Sequence, residues 1–109
     1  MLTERDLILR LIRQLAEVLA AALKLRREGN REEALVRIDQ VTGRLTGMDA
    51  RALCLFGETA LGGVPPELRL PLARLLRARA HLLREKGDLA GFRQALRTAR
   101  QLVRNAPPT

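Results

Sequence analysis

Arg93, Arg97, Arg100 and Arg104 recur at steps of four, three and four, a spacing that stacks four guanidinium groups on one face of a helix. Arg74, Arg77 and Arg84 repeat the arrangement upstream, with His81 in the same row. A guanidinium is a rigid fork of donors that fits carboxylates and phosphates, so two such rows anticipate an anionic partner. That partner would be an acidic protein segment, a nucleic-acid backbone or an anionic membrane surface. The rows also carry the charge imbalance. Residues 1–66 hold ten Lys and Arg against nine Asp and Glu, whereas residues 67–109 hold ten against three, within a net charge of +8. The competing reading is a solvated helix face in an Arg-favouring composition, because only Lys24 and Lys86 among the 20 basic residues are Lys.

Other chemistry is scarce. There is no Ser, so no serine nucleophile, and one Cys, so no internal disulfide and no multi-cysteine zinc site. His81 stands beside Arg77, Arg84 and Glu85, where a general base would need a positioned partner and a pocket, and it reads as a surface residue. Cys54 falls about one turn into a helix capped by Asp49, a place that can activate a thiol, but a buried, inert thiol is the better reading. The carboxylates Glu32 with Glu33, and Glu4 with Asp6, sit where helix first turns favour negative charge. No enzyme, metal or cofactor is therefore expected. With no Trp or Tyr and only Phe56 and Phe92, the chain also lacks aromatic platforms on which bases would stack, which weakens the nucleic-acid reading against a protein partner.

The elements that must carry these rows are helical. Leu, Ala and Arg make 56 of 109 residues, all good helix formers, and β-branched residues are few. The first helix is expected from about Glu4 to Arg27. Thr3 and Asp6 form its cap, Leu2 and Leu7 a hydrophobic staple, and Ile8, Leu11, Leu15, Val18, Ala22 and Leu25 its core stripe, widened by Ile12, Leu19 and Leu23. Arg10, Arg13, Glu17, Ala20, Lys24 and Arg27 form its wet face.

After the Gly29-Asn30 break, Asn30 is expected to cap a second helix that buries Ala34, Leu35, Ile38, Val41, Thr42 and Leu45 and stops at Gly47. A short linking helix over 49–62 follows, capped by Asp49, and ends at Gly62-Gly63-Val64-Pro65-Pro66. Pro71 suits a first helical position, so the fourth helix is set at Pro71–Lys86. Gly87-Asp88 then opens a last helix with Phe92, Ala95, Leu96, Ala99, Leu102 and Val103 buried, ended by Asn105-Ala106-Pro107-Pro108.

The two breaks repeat each other. Leu25-Arg26-Arg27-Glu28-Gly29-Asn30 aligns with Leu83-Arg84-Glu85-Lys86-Gly87-Asp88 at an offset of 58. Ala34 then falls opposite Phe92, Ile38 opposite Leu96 and Val41 opposite Ala99. This resembles the tetratricopeptide helical hairpin. That family's turn Gly matches Gly29 and Gly87, its first small residue Ala34, its large residue Ile38 and Leu96, and its next small residue Val41 and Ala99. The chain departs from the pattern at Phe92, at the family's empty Trp and Tyr positions, and at its terminal Pro, absent near Leu45 and only approximate at Pro107. The linking helix also breaks the family period of roughly 34 residues. Glu4-Arg5-Asp6-Leu7-Ile8-Leu9-Arg10-Leu11-Ile12 and Leu72-Ala73-Arg74-Leu75-Leu76 are similar to a group of small bacterial helical proteins of unknown function, which implies no activity.

The expectation is thus one all-α domain of about five helices: a hairpin over 4–46, the linking helix, and a hairpin over 71–105. Its expected role is a non-catalytic interaction or scaffold module, with Arg74, Arg77, Arg84, Arg93, Arg97, Arg100 and Arg104 as the partner-binding face. The alternative is a nucleic-acid accessory protein using the same arginines. A homodimer through the first or last helix would cover Leu7, Leu9 and Leu23. No run of apolar residues is long enough to span a membrane, and no signal peptide is evident, so a cytoplasmic setting is expected.

Overall fold

Helix α1 (Glu4–Arg27) starts at a reciprocal cap. The Asp6 amide donates to Thr3 Oγ1 at 3.1 Å, and the Thr3 amide donates to Asp6 Oδ2 at 3.2 Å. Hydrogen bonding of the carboxyl to Thr3, its side chain first and then its backbone, holds Asp6 below its ordinary range. The structure, a computed structural model, describes residues 3–104 and not the side chain of Glu58. The expected Leu2–Leu7 staple and the Asn105–Pro108 terminator therefore lie outside the described residues. In α1 only Leu15 and Ala22 are fully buried, while Ile8, Leu11, Ile12, Val18, Leu19 and Leu25 are half-buried. Its wet face is exposed as expected, and Leu7 and Leu9 are exposed too. Leu23, expected to widen the core stripe, is corrected to an exposed position because it lies at the edge of that stripe.

Helix α2 (Arg31–Thr46) buries Ala34, Leu35, Ile38, Val41 and Thr42, with Leu45 half-buried. Asn30 occupies the cap position but its side chain makes no capping bond. Its ψ of 65° turns the side chain away from the first-turn amides, whereas the working caps Thr3 and Asp49 have ψ of 165° and 168°. Gly47 ends α2, and Asp49 Oδ1 accepts the Ala52 amide at 2.8 Å to start α3 (Ala50–Phe56).

The single linking helix expected over 49–62 is in fact two, α3 and α4 (Glu58–Leu61). Gly57 separates them with φ 57° and ψ −135°, a region closed to side chains with a Cβ. The start at Pro71 is also corrected. Helix α5 (Pro66–Lys86) begins five residues earlier, with Pro66 in the first position and Pro71 inside the helix. An interior Pro forfeits one backbone bond. Leu68 and Leu72, both at 0% exposure, flank it, and their burial at roughly 1.5–3 kcal/mol each outweighs that loss. Helix α6 (Leu89–Arg104) follows, so six helices and no strand are present among the described residues.

Helix α5 is the centre of the molecule. It packs against α1, α2 and α6, and every apolar residue assigned to its core side (Leu72, Ala73, Leu75, Leu76, Ala80, Leu82 and Leu83) is buried. Glu85 accepts from both Arg26 and Arg31, the latter at 2.7 Å, and Lys86 Nζ lies 2.9 Å from Glu32. Those contacts bring the α1–α2 and α5–α6 turns to the same end, so α1 and α5 run parallel. One aliphatic cluster draws residues from all six helices. Phe56 lies outside it, 60% exposed.

Candidate functional site

The Gly87-Asp88 turn fixes how the two arginine rows meet. Gly87 takes φ 92°, and the Asp88 amide donates to the Leu83 carbonyl at 2.8 Å, which reverses the chain within two residues. Asp88 Oδ1 then accepts the Gly91 amide at 2.8 Å and starts α6. A turn this short forces α5 and α6 to lie antiparallel and adjacent.

All seven predicted arginines are exposed: Arg74, Arg77 and Arg84 on α5, and Arg93, Arg97, Arg100 and Arg104 on α6. The α6 row lies opposite its buried residues Ala95, Thr98, Ala99 and Leu102. Among the described residues none of the seven forms an ion pair, whereas Arg26, Arg31, Arg37, Arg79 and Lys86 all do. Helix α6 itself contains no acidic residue.

The two rows do not merge. Phe92 sits at the seam, with the Arg84 guanidinium 5.6 Å from its ring centroid and the His81 ring at 6.3 Å, tilted by 47°. A cation over an aromatic face is an attractive contact. Half-buried His81 is thus seated against α6 rather than free on the surface. On the same flank of α6 as Phe92 the helical period places Leu89, Leu96 and Val103. The expected burial of Phe92, Leu96 and Val103 is corrected here. Val103 is 41% exposed, while Phe92 and Leu96 are half-buried, because the small residues Ala95 and Ala99 take the core-facing positions. An apolar strip therefore separates the rows.

Two cations of this half belong to the interior, which residue counting missed. Arg69, 8% exposed, donates to the carbonyls of Leu102 at 3.3 Å, Leu61 at 3.2 Å and Gln101 at 3.4 Å. It thereby covers free carbonyls at the ends of α4 and α6. Arg79 donates to Asp39 Oδ1 at 3.2 Å. A signal existed: Arg69 stands three and four residues before Leu72 and Ala73, and Arg79 three and four before Leu82 and Leu83, inside the apolar stripe.

The Arg79–Asp39 pair forms the floor of a hollow of about 510 Å³ between α2, α3, α5 and α6, edged by Val36, Leu55, Arg51 and Lys86. Burial pushes the Asp39 carboxyl up, against the pull of Arg79. Burial likewise raises the Cys54 thiol, against a smaller lowering by the neighbouring Thr98 side chain, so Cys54 is a poor nucleophile at neutral pH. It is half-buried, less enclosed than expected. Among the described residues no cluster of three or more His, Cys, Asp or Glu is placed to hold a metal ion, and no helix is long and apolar enough to cross a membrane. Compared with family models, with curated proteins and with solved structures, the chain finds no match in any of the three.

Proposed function

We propose that the chain is a non-catalytic helical interaction module, built on tetratricopeptide-like hairpins, that engages an acidic segment of another protein through the α5–α6 face. One observation carries the reading: seven exposed arginines on two adjacent helices have no carboxylate partner among the described residues. The hairpin reading is supported by the parallel course of α1 and α5 and by two Gly turns at one end, tied through Glu85. A protein partner is favoured over nucleic acid because the rows flank the apolar side chains Leu89 and Val103, which a phosphate backbone would leave uncovered. A cytoplasmic setting belongs to the same proposal.

The test is fluorescence anisotropy with a labelled Glu-rich peptide and a labelled DNA duplex at low salt. The peptide is expected to bind, to weaken as salt rises, and to lose at least about tenfold in the triple variant Arg93→Glu/Arg97→Glu/Arg100→Glu. Tighter binding of the duplex, with a steep salt slope, overturns the protein reading in favour of a phosphate-backbone partner. Self-association through α1 is a second reading, favoured by exposed Leu7, Leu9 and Leu23. A monomer mass by light scattering at tens of micromolar refutes it.

A further inference from the structure

The apolar strip and the rows beside it define more than a charged surface. Leu89, Phe92, Leu96 and Val103 follow one another at three, four and seven residues along α6, with Leu89 53% and Val103 41% exposed. The strip is about 21 Å long from the helical rise. The α6 arginines border one side; on the other, Arg84 of α5 lies against Phe92, and the helical period puts Arg77 in the same row as Arg84 and His81. From this geometry we infer that the seam is a seat for an amphipathic helix of about 15 residues, carrying an apolar stripe with acidic residues on both flanks. This rests on the acidic-partner reading and names the partner's form.

The complementarity is specific. A solvated basic face would place polar residues between its cations, and a nucleic-acid backbone would leave the strip without a contact. An acidic helix covers the strip with its own apolar stripe, while its flanking carboxylates reach the arginines on both sides. Charge-assisted pairs at the rim set orientation and rate, and the covered strip supplies the affinity. A second copy of this chain presenting the same surface would oppose arginine rows to arginine rows, which like-charge repulsion disfavours. Phe92 is the natural anchor, because Arg84 and His81 already hold its ring in place and little freedom remains to be lost on binding.

The experiment uses the full chain and two labelled peptides of 18 residues with one composition. In the first, Leu recurs at helical spacing with Glu on both flanks. In the second, the same residues are scrambled so that no stripe forms. Wild type is expected to bind the striped peptide at least about tenfold more tightly. The variant Leu89→Gln/Val103→Gln changes only exposed positions and leaves the charge intact. It should lose at least about tenfold for the striped peptide and nothing for the scrambled one, with unchanged far-UV circular dichroism. Arg77→Glu/Arg100→Glu should weaken both peptides. Equal binding of the two peptides overturns the helix seat and leaves the acidic-partner reading standing. No binding of either overturns both. Displacement of the striped peptide by a DNA duplex or by anionic phospholipid vesicles at lower concentration than by the unlabelled peptide also overturns the inference.

Discussion

Replacing Arg69 by Met keeps most of the side chain's apolar volume and removes three hydrogen bonds at once, to the carbonyls of Leu61, Gln101 and Leu102. Bonds from a charged donor contribute about 1.5–3 kcal/mol each. At 3.2–3.4 Å these are long, which puts them at the lower end of that range. Met also relieves the cost of burying a cation, which offsets more than half of the loss. The expected net destabilisation is therefore about 2 kcal/mol, and at this chain length that is roughly an 8 °C fall in Tm. Thermal and urea unfolding followed by circular dichroism at 222 nm measure it. Arg69→Lys should recover little, since one ammonium cannot reach three carbonyls on two helix ends. By contrast Arg97→Met, on the exposed face, should change stability by less than about 0.5 kcal/mol. An Arg69→Met variant as stable as Arg97→Met would refute the assignment of Arg69 to the interior.

Gly91→Ala should destabilise the protein by about 1 kcal/mol, although Ala normally favours a helix. Its Cβ would stand 2.5 Å from Asp88 Oδ2 and 3.0 Å from Leu83 Cδ1, so the capping carboxylate must leave the α6 amides. The same change made in an Asp88→Ala background should cost less than about 0.5 kcal/mol, and a double-mutant cycle without coupling would contradict this. Acid should weaken the fold through Glu85. Hydrogen bonds from Arg31 and then Arg26 hold its carboxyl below the ordinary value of 4.5. The folded pKa is depressed, so its contribution is present above that value and is lost as pH falls through the lowered one. Asp39, raised by burial, runs the other way and favours the fold as pH falls. The Tm difference between wild type and Glu85→Gln isolates Glu85: it should be steady above about pH 5.5 and shrink towards pH 2. A difference that persists undiminished at low pH would exclude the pairing.

Much of the fold was legible because its signals are local. Thr3 with Asp6, Asp49 and Asp88 cap where residue type alone placed caps, and Gly47 and Gly87 stop helices where a left-handed residue is needed. What failed depends on distant contacts. Pro71 reads as a helix start until Arg69 finds partners in α4 and α6 and Leu68 joins the core, with α5 reaching back to Pro66. Gly57 carries no hint in its neighbours of the turn that splits the linker. In the candidate site the arginine rows were legible from period alone, and all seven are exposed. The strip between them was not. Phe92, Leu96 and Val103 look like core to any reading of hydrophobicity, and only the packing of Ala95 and Ala99 on α5 leaves them outside.

The two ends of α5 are fastened by different chemistry. At the turn end Glu85 and Lys86 hold Arg26, Arg31 and Glu32 through side chains open to solvent, and at the opposite end Arg69 is buried among backbone carbonyls. Screening reaches the first fastening and hardly touches the second. The molecule is therefore expected to open in a fixed order, like a clasp, with the Gly turns parting first in high salt. Amide exchange would then quicken around residues 28–31 and 86–88 while the amides near Leu68 and Leu72 stay protected.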